Sequence, residues 1–160
     1  MKCGLAAFLL LLTENTKPET GAMLQGCREM LRQVTAAVGF RKTEYENGTL
    51  KVIKENDEDW FWKCWLYWKK TVLLSEEERG ELLQWTEGLI TMRVKGIREG
   101  NHRKYYGECA AYIAALGEAK ESGGEKNGKQ NTMAKYMEAY SRRSSFRQEM
   151  RTFGMRELRK

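Results

Sequence analysis

The chain has 160 residues, 41% of them hydrophobic and 31% charged, with a formal charge of +6 and a single proline. That balance argues against a disordered polyelectrolyte, and the scarcity of turn signals argues against an all-β chain, which would show one about every 8–12 residues. The length fits one domain that buries about two thirds of its unfolded surface.

In chain order the first element is a helix over residues 2–14. Lys2 followed by the apolar run Leu5 to Leu12 has the order of a signal peptide, but no small-x-small cleavage site follows in Thr13-Glu14-Asn15-Thr16. The run is also short of the ~20 residues a bilayer needs. A buried core helix is therefore the reading, a signal peptide the alternative, and no membrane association is expected. Pro18 ends the segment. Leu24, Cys27, Leu31, Val34 and Val38 then recur at spacings of three and four, opposite Arg28, Glu29 and Arg32, with Gly39 as a stop. The two helices read as a hairpin.

For residues 40–55 two readings stand. Asn47-Gly48, set between Thr43-Glu44-Tyr45 and Thr49 to Ile53, matches a type I′ turn and predicts a small β-hairpin over 43–53. The other reading is a charged connector. Residues 57–73 hold Trp60, Phe61, Trp62, Trp65, Tyr67 and Trp68. Asn56 as a cap, Asp57, Glu58 and Asp59 in the first turn, and Lys69 and Lys70 near the end give the charge order that suits a helix dipole. Trp60, Phe61, Cys64, Trp65 and Trp68 are expected on one broad core face, with Lys63 and Lys70 opposite; a strand is the alternative, since the even positions 60 to 68 are uniformly apolar.

Ser75 and Glu78 form a capping box that opens a long helix. Its core positions are expected among Leu82, Leu83, Trp85, Leu89, Ile90, Met92 and Val94, up to the break at Gly100-Asn101. Asn101 is expected to cap the partner helix, about 102–121, whose core face includes Tyr105, Cys109, Tyr112, Ile113 and Leu116. Gly107, Ala110, Ala111, Ala114 and Ala115 would let a neighbour approach closely. Residues 122–128 read as a flexible linker. Met133, Tyr136, Met137 and Tyr140, then Phe146, Met150 and Phe153, mark two short helices. These cannot leave water alone, so residues 129–153 are expected to dock on the 102–121 helix. The whole reads as an all-α fold of stacked, repeat-like helical hairpins: a helical region over 1–121, the linker, and a basic helical pair over 129–160.

Chemistry is sparse. Cys3, Cys27, Cys64 and Cys109 lie 24, 37 and 45 residues apart with no CxxC pair, which argues against a zinc site or a disulfide scaffold and for reduced thiols in a cytoplasmic protein. His102, the only histidine, would have to serve any Ser-His-Asp or Cys-His site, and at a helix start it reads as a solvated surface residue. Gly123-Gly124 to Gly128 lacks the ending of a phosphate loop. No enzyme activity, metal or cofactor is expected.

The charge sits at the C-terminal end. Residues 126–160 carry ten basic side chains against three acidic ones, while the first 125 residues sum to −1. Lys135, Arg142, Arg143, Arg147 and Arg151 are the candidate contacts for nucleic acid or an acidic partner, since guanidinium forks bind phosphate and carboxylate bidentately. The plain alternative is the polar face that any amphipathic helix needs. No aromatic residue interleaves the arginines, as a single-strand binder would require.

The stretch from Tyr105-Tyr106-Gly107 to Leu116-Gly117-Glu118, followed by Tyr140-Ser141-Arg142-Arg143-Ser144-Ser145-Phe146-Arg147-Gln148-Glu149-Met150, resembles the C-terminal helical tail of uncharacterised bacterial proteins, some of which carry a SWIM-type zinc finger upstream. The likeness covers residues 58–160 at most. The finger's Cys-x-Cys and Cys-x-His pairs are absent here, so no site residue is carried over. The resemblance implies a helical tail of a larger bacterial protein. The function expected is a non-enzymatic interaction module with a protein partner; the alternative is a nucleic-acid-associated protein using the arginine stripe.

Overall fold

A computed structural model describes residues 3–14, 21–38, 42–53, 57–140 and 144–156. The fold is all-α apart from one hairpin. In chain order the elements are α1 (Cys3–Leu11), α2 (Ala22–Val38), β1 (Lys42–Glu46), β2 (Thr49–Ile53), α3 (Asp57–Thr71), α4 (Glu76–Glu99), a 3-10 turn (Arg103–Tyr105), α5 (Tyr106–Ser122), α6 (Gly128–Ala139) and α7 (Ser144–Thr152). Pro18 and Gly39, expected as helix stops, lie outside the described residues.

α5 is the middle of the molecule. From Cys109 to Gly117 every residue is buried, and so is Ala119. Small side chains make this arrangement workable, because alanine and glycine let neighbours close in on every side of one helix. α1, α2, α4, α6 and α7 all pack against it. The helical pairs α1–α2 and α4–α5 are present, but they gather around this shared helix and do not follow one another as a linear stack. The tightest approach is to α6, where a Cβ at Gly117 would stand 2.5 Å from the Lys129 Cα and one at Gly128 would stand 2.8 Å from the Glu121 backbone nitrogen. Leu9, Leu10, Met23, Cys27, Ile90, Ile113, Leu116, Met133 and Met150 form the continuous interior.

α4, α5 and α7 end in the same way. In each, a residue of positive φ follows the helix, the next amide donates back to the carbonyl five residues before it, and orphan carbonyls are satisfied. The positive-φ residues are Asn101 (φ 52°), Gly124 (φ 92°) and Gly154 (φ 93°), and the returning bonds run from His102 to Ile97, Glu125 to Lys120 and Met155 to Met150. Asn101 therefore terminates α4 and does not cap the next helix, because its left-handed backbone is what that closing bond requires. Residues 122–128 form a compact turn: the Asn131 amide donates to the Lys126 carbonyl at 3.1 Å and the Lys129 amide to Glu121 at 3.0 Å.

Between residues 42 and 53 the chain forms the hairpin, with Glu46 opposite Thr49 and both turn residues at positive φ, Asn47 at 52° and Gly48 at 79°. The face of α3 differs from the expected one. Trp62 and Trp65 are buried with their rings 5.5 Å apart, while Trp68 is exposed; the side chain of Trp60 lies outside the described ones. The inward face is set by Trp62, Trp65 and Lys69, since the Lys69 ammonium has its own partner across the interface, described below. On α4 the core positions are Leu83, Thr86, Ile90, Val94 and Ile97; Trp85, Leu89 and Met92, expected inside, are exposed. Phe146 of α7 is buried, with its ring edge-on to Tyr106 at 5.5 Å and to Tyr140 at 6.0 Å.

The close crossing and the open surface of α4 give opposite expectations for the same substitution. Gly117→Ala, whose new methyl meets backbone, should destabilise the chain by about 1–3 kcal/mol in urea denaturation. Gly80→Ala, at a helical position with nothing within 4 Å, should stabilise it by up to about 1 kcal/mol.

Candidate interaction surface

Three polar clusters fix the helices before any surface is considered. Glu118 of α5 accepts from the backbone amides of Ala22 at 2.8 Å and Met23 at 2.9 Å, so its carboxylate caps the N-terminus of α2, and Lys129 of α6 closes on the same group at 2.8 Å. Glu87 of α4 takes Lys120 of α5 at 2.7 Å and Lys135 of α6 at 2.6 Å. Burial pushes the Glu87 carboxyl up, but the hydrogen bonds and charges of the two lysines outweigh it and hold the group below its ordinary range. At the C-terminal end of α1, Lys69 of α3 donates to the carbonyls of Leu11 (2.9 Å) and Thr13, and Arg79 of α4 pairs with Glu14 at 3.0 Å and reaches the Leu12 carbonyl at 3.4 Å. Cations there complement the helix dipole. Burial and the neighbouring Arg79 lower the Lys69 pKa against the opposing pull of Glu14.

One of the candidate anion contacts enters these ties. Lys135 is drawn to Glu87 on α4, Arg147 is half-buried and Arg151 exposed on α7, and Arg142 and Arg143 lie outside the described residues. His102 is exposed on an open cleft of about 510 Å³, lined also by Met92, Arg93, Gly96, Ile97, Lys104 and Tyr105. Arg93 pairs with Glu108 at 3.2 Å and lies 5.5 Å from the Tyr105 ring centre. Burial raises the Cys27 thiol to about 12, and burial with the adjacent Glu108, opposed by Arg93, raises Cys109 to about 11. Neither is a thiolate at neutral pH. Among the described residues no three His, Cys, Asp or Glu side chains gather as a metal site, and no helix is long and apolar enough to cross a membrane.

The described side chains also leave apolar surface in water. Among the described side chains, which do not include those of residues 33–38, 42–46, 50–53 and 60, the large hydrophobics left exposed lie between positions 66 and 92: Leu66, Tyr67 and Trp68 at the end of α3, Val72 and Leu73 in the connection, and Trp85, Leu89 and Met92 along α4. Leu73 is 83% exposed, Tyr67 70%, Met92 65% and Trp68 58%. Periodicity puts four of these eight, Trp68, Trp85, Leu89 and Met92, among core positions. The overlooked signal is that α4 is apolar on two sides, with Leu83, Ile90 and Val94 on one and Trp85, Leu89 and Met92 on the other, whereas a helix with a single partner needs only one. Trp85, 57% exposed, packs edge-on to Phe8 of α1 at 5.8 Å.

No protein-family model, curated protein or solved structure matches this chain.

Because the folded Glu87 carboxyl titrates below its unfolded value, the stability it contributes is complete above the unfolded carboxylate pKa and is lost as pH falls through the lower, folded one. Glu87→Gln should therefore cost about 1–3 kcal/mol at neutral pH. In urea titrations across the acid range, the gap to the parent chain should narrow as pH falls below the carboxylate range.

Proposed function

We propose that this chain is a non-enzymatic helical interaction module that engages a protein partner through the apolar side chains between Leu66 and Met92. One observation carries the reading: eight large hydrophobic side chains in this one stretch of sequence stand exposed, and no other described side chain of that kind does. Keeping such side chains in water forgoes about 1.5–3 kcal/mol for each that could be buried. Their types also suit a binding face, since tryptophan, tyrosine and methionine are enriched at interfaces and tryptophan and tyrosine dominate hot spots. Apolar surface marks a contact site where it is contiguous, and Trp85, Leu89 and Met92 share one side of α4.

The same proposal places the module in a reducing cytoplasm, as part of a larger bacterial protein. Free thiols at Cys27, Cys64 and Cys109 support the compartment, and the helical-tail resemblance of residues 58–160 supports the setting. A nucleic-acid role through Arg147 and Arg151 has less to support it, since Lys135, the candidate cation on α6, is turned to Glu87 of α4.

A photo-crosslinking residue placed at Tyr67 or Leu73 should trap a discrete protein species in cells, and Trp68→Glu should abolish the product while leaving the helical circular dichroism unchanged. Crosslinks of equal yield from Tyr67 and from Arg151 would overturn the reading. So would nucleic acid as the main product at Arg147, with retention that falls steeply as salt is raised.

A further inference from the structure

The outer stripe of α4 has a two-fold pattern. Trp85 and Met92 stand equally far along the helix from the point between Gly88 and Leu89, and so do Glu81 and Gly96. A Cβ at Gly88 or Gly96 would meet nothing within 4 Å, so the backbone on this side is open to close approach. Charge reverses about the same point. Glu76, Glu77, Glu78 and Glu81 are exposed at one end, and Lys95, Arg103 and Lys104 at the other. Glu99 is the acidic exception and sits 3.9 Å from Lys95. Arg79, the basic exception at the acidic end, is engaged with Glu14, and Arg98 at the basic end lies over the Tyr140 ring at 4.7 Å.

We infer that this stripe docks a second copy of the chain, with the two α4 helices antiparallel about a two-fold axis beside Gly88 and Leu89. A helix that is acidic at one end and basic at the other is complementary to itself in that orientation, whereas a parallel copy would oppose like charges along its length. In this register Leu89 of each copy enters the space over Gly88 of the other, Trp85 meets Met92 in a sulfur–aromatic contact, and Glu81 lies beside Lys95. The antiparallel helix dipoles add in the same sense. The inference rests on the reading of residues 66–92 as an interaction surface and assigns the share that α4 contributes. One helix pair lies at the low end of specific interfaces, so the dimer dissociates in the micromolar range.

Sedimentation velocity of the full chain, over a series from low to high micromolar, should show monomer and dimer in exchange. Glu81→Lys and Lys95→Glu alter exposed side chains, and each should weaken the association about tenfold, as expected for one interfacial charge pair. The double variant restores opposite charges across the axis and should recover the parent behaviour. Unchanged circular dichroism of all three would assign these effects to the interface. A monomer throughout the series, or a double variant no better than either single one, overturns the antiparallel dimer. A strictly monomeric chain that still crosslinks another protein from Tyr67 would remove the dimer and leave the interaction module standing. A dimer that obeys the charge swap without any second protein would do the opposite.

Discussion

A helix with no solvent face exists only while every side of it is covered, and α5 imposes that condition on the whole chain. Its run from Cys109 to Gly117 is buried throughout. Alanine and glycine at these positions contribute little apolar area themselves, so the stabilisation comes from how closely α1, α2, α4, α6 and α7 approach and from the larger side chains those helices lay over the small ones. A methyl group in the wrong place is costly for the same reason: at Gly117 the nearest neighbour is backbone, which cannot rotate away.

Apolar packing alone does not set the angular position of five helices around one. The carboxylates and cations described above supply that information. Glu118 holds the first turn of α2 and the start of α6 at once, and Glu87 joins α4, α5 and α6 through two lysines. Each of these ion pairs is shielded from bulk water on one side by the helices it joins, so screening by salt is weaker than for a pair on an open surface. The cluster at the end of α1 works differently: Lys69 and Arg79 neutralise carbonyl oxygens that the helix itself cannot bond, joining α1 to α3 and α4.

Much of the local structure was legible in the sequence, because caps and turns depend on a few neighbouring residues. Ser75 and Glu78 form their reciprocal cap, with bonds of 3.2 and 2.8 Å, and Asn47-Gly48 makes the tight turn. The central role of α5 was only half visible. Its alanines announced close packing, but how many neighbours use them depends on contacts between residues far apart in the chain. The side of α3 that faces inward is not legible locally, because the carbonyls that Lys69 serves belong to the end of α1, more than fifty residues away. The candidate surface was hidden for a related reason: Trp85, Leu89 and Met92 follow the spacing of a core stripe, and periodicity reports that a face is apolar without reporting whether anything covers it.

The Glu118 cap has a consequence for the order in which the chain is made. The carboxylate that completes α2 lies 96 and 95 residues beyond the amides it accepts from, and α5 covers the α1–α2 pair over the same separation. Loop-closure entropy grows only slowly with such a span, so the finished fold bears little penalty for it. Synthesis is another matter, since the chain emerges from the ribosome at about 5–20 residues per second. For several seconds the α1–α2 pair therefore exists without α5, and the apolar side it turns to that helix waits in water until the chain beyond residue 118 has emerged.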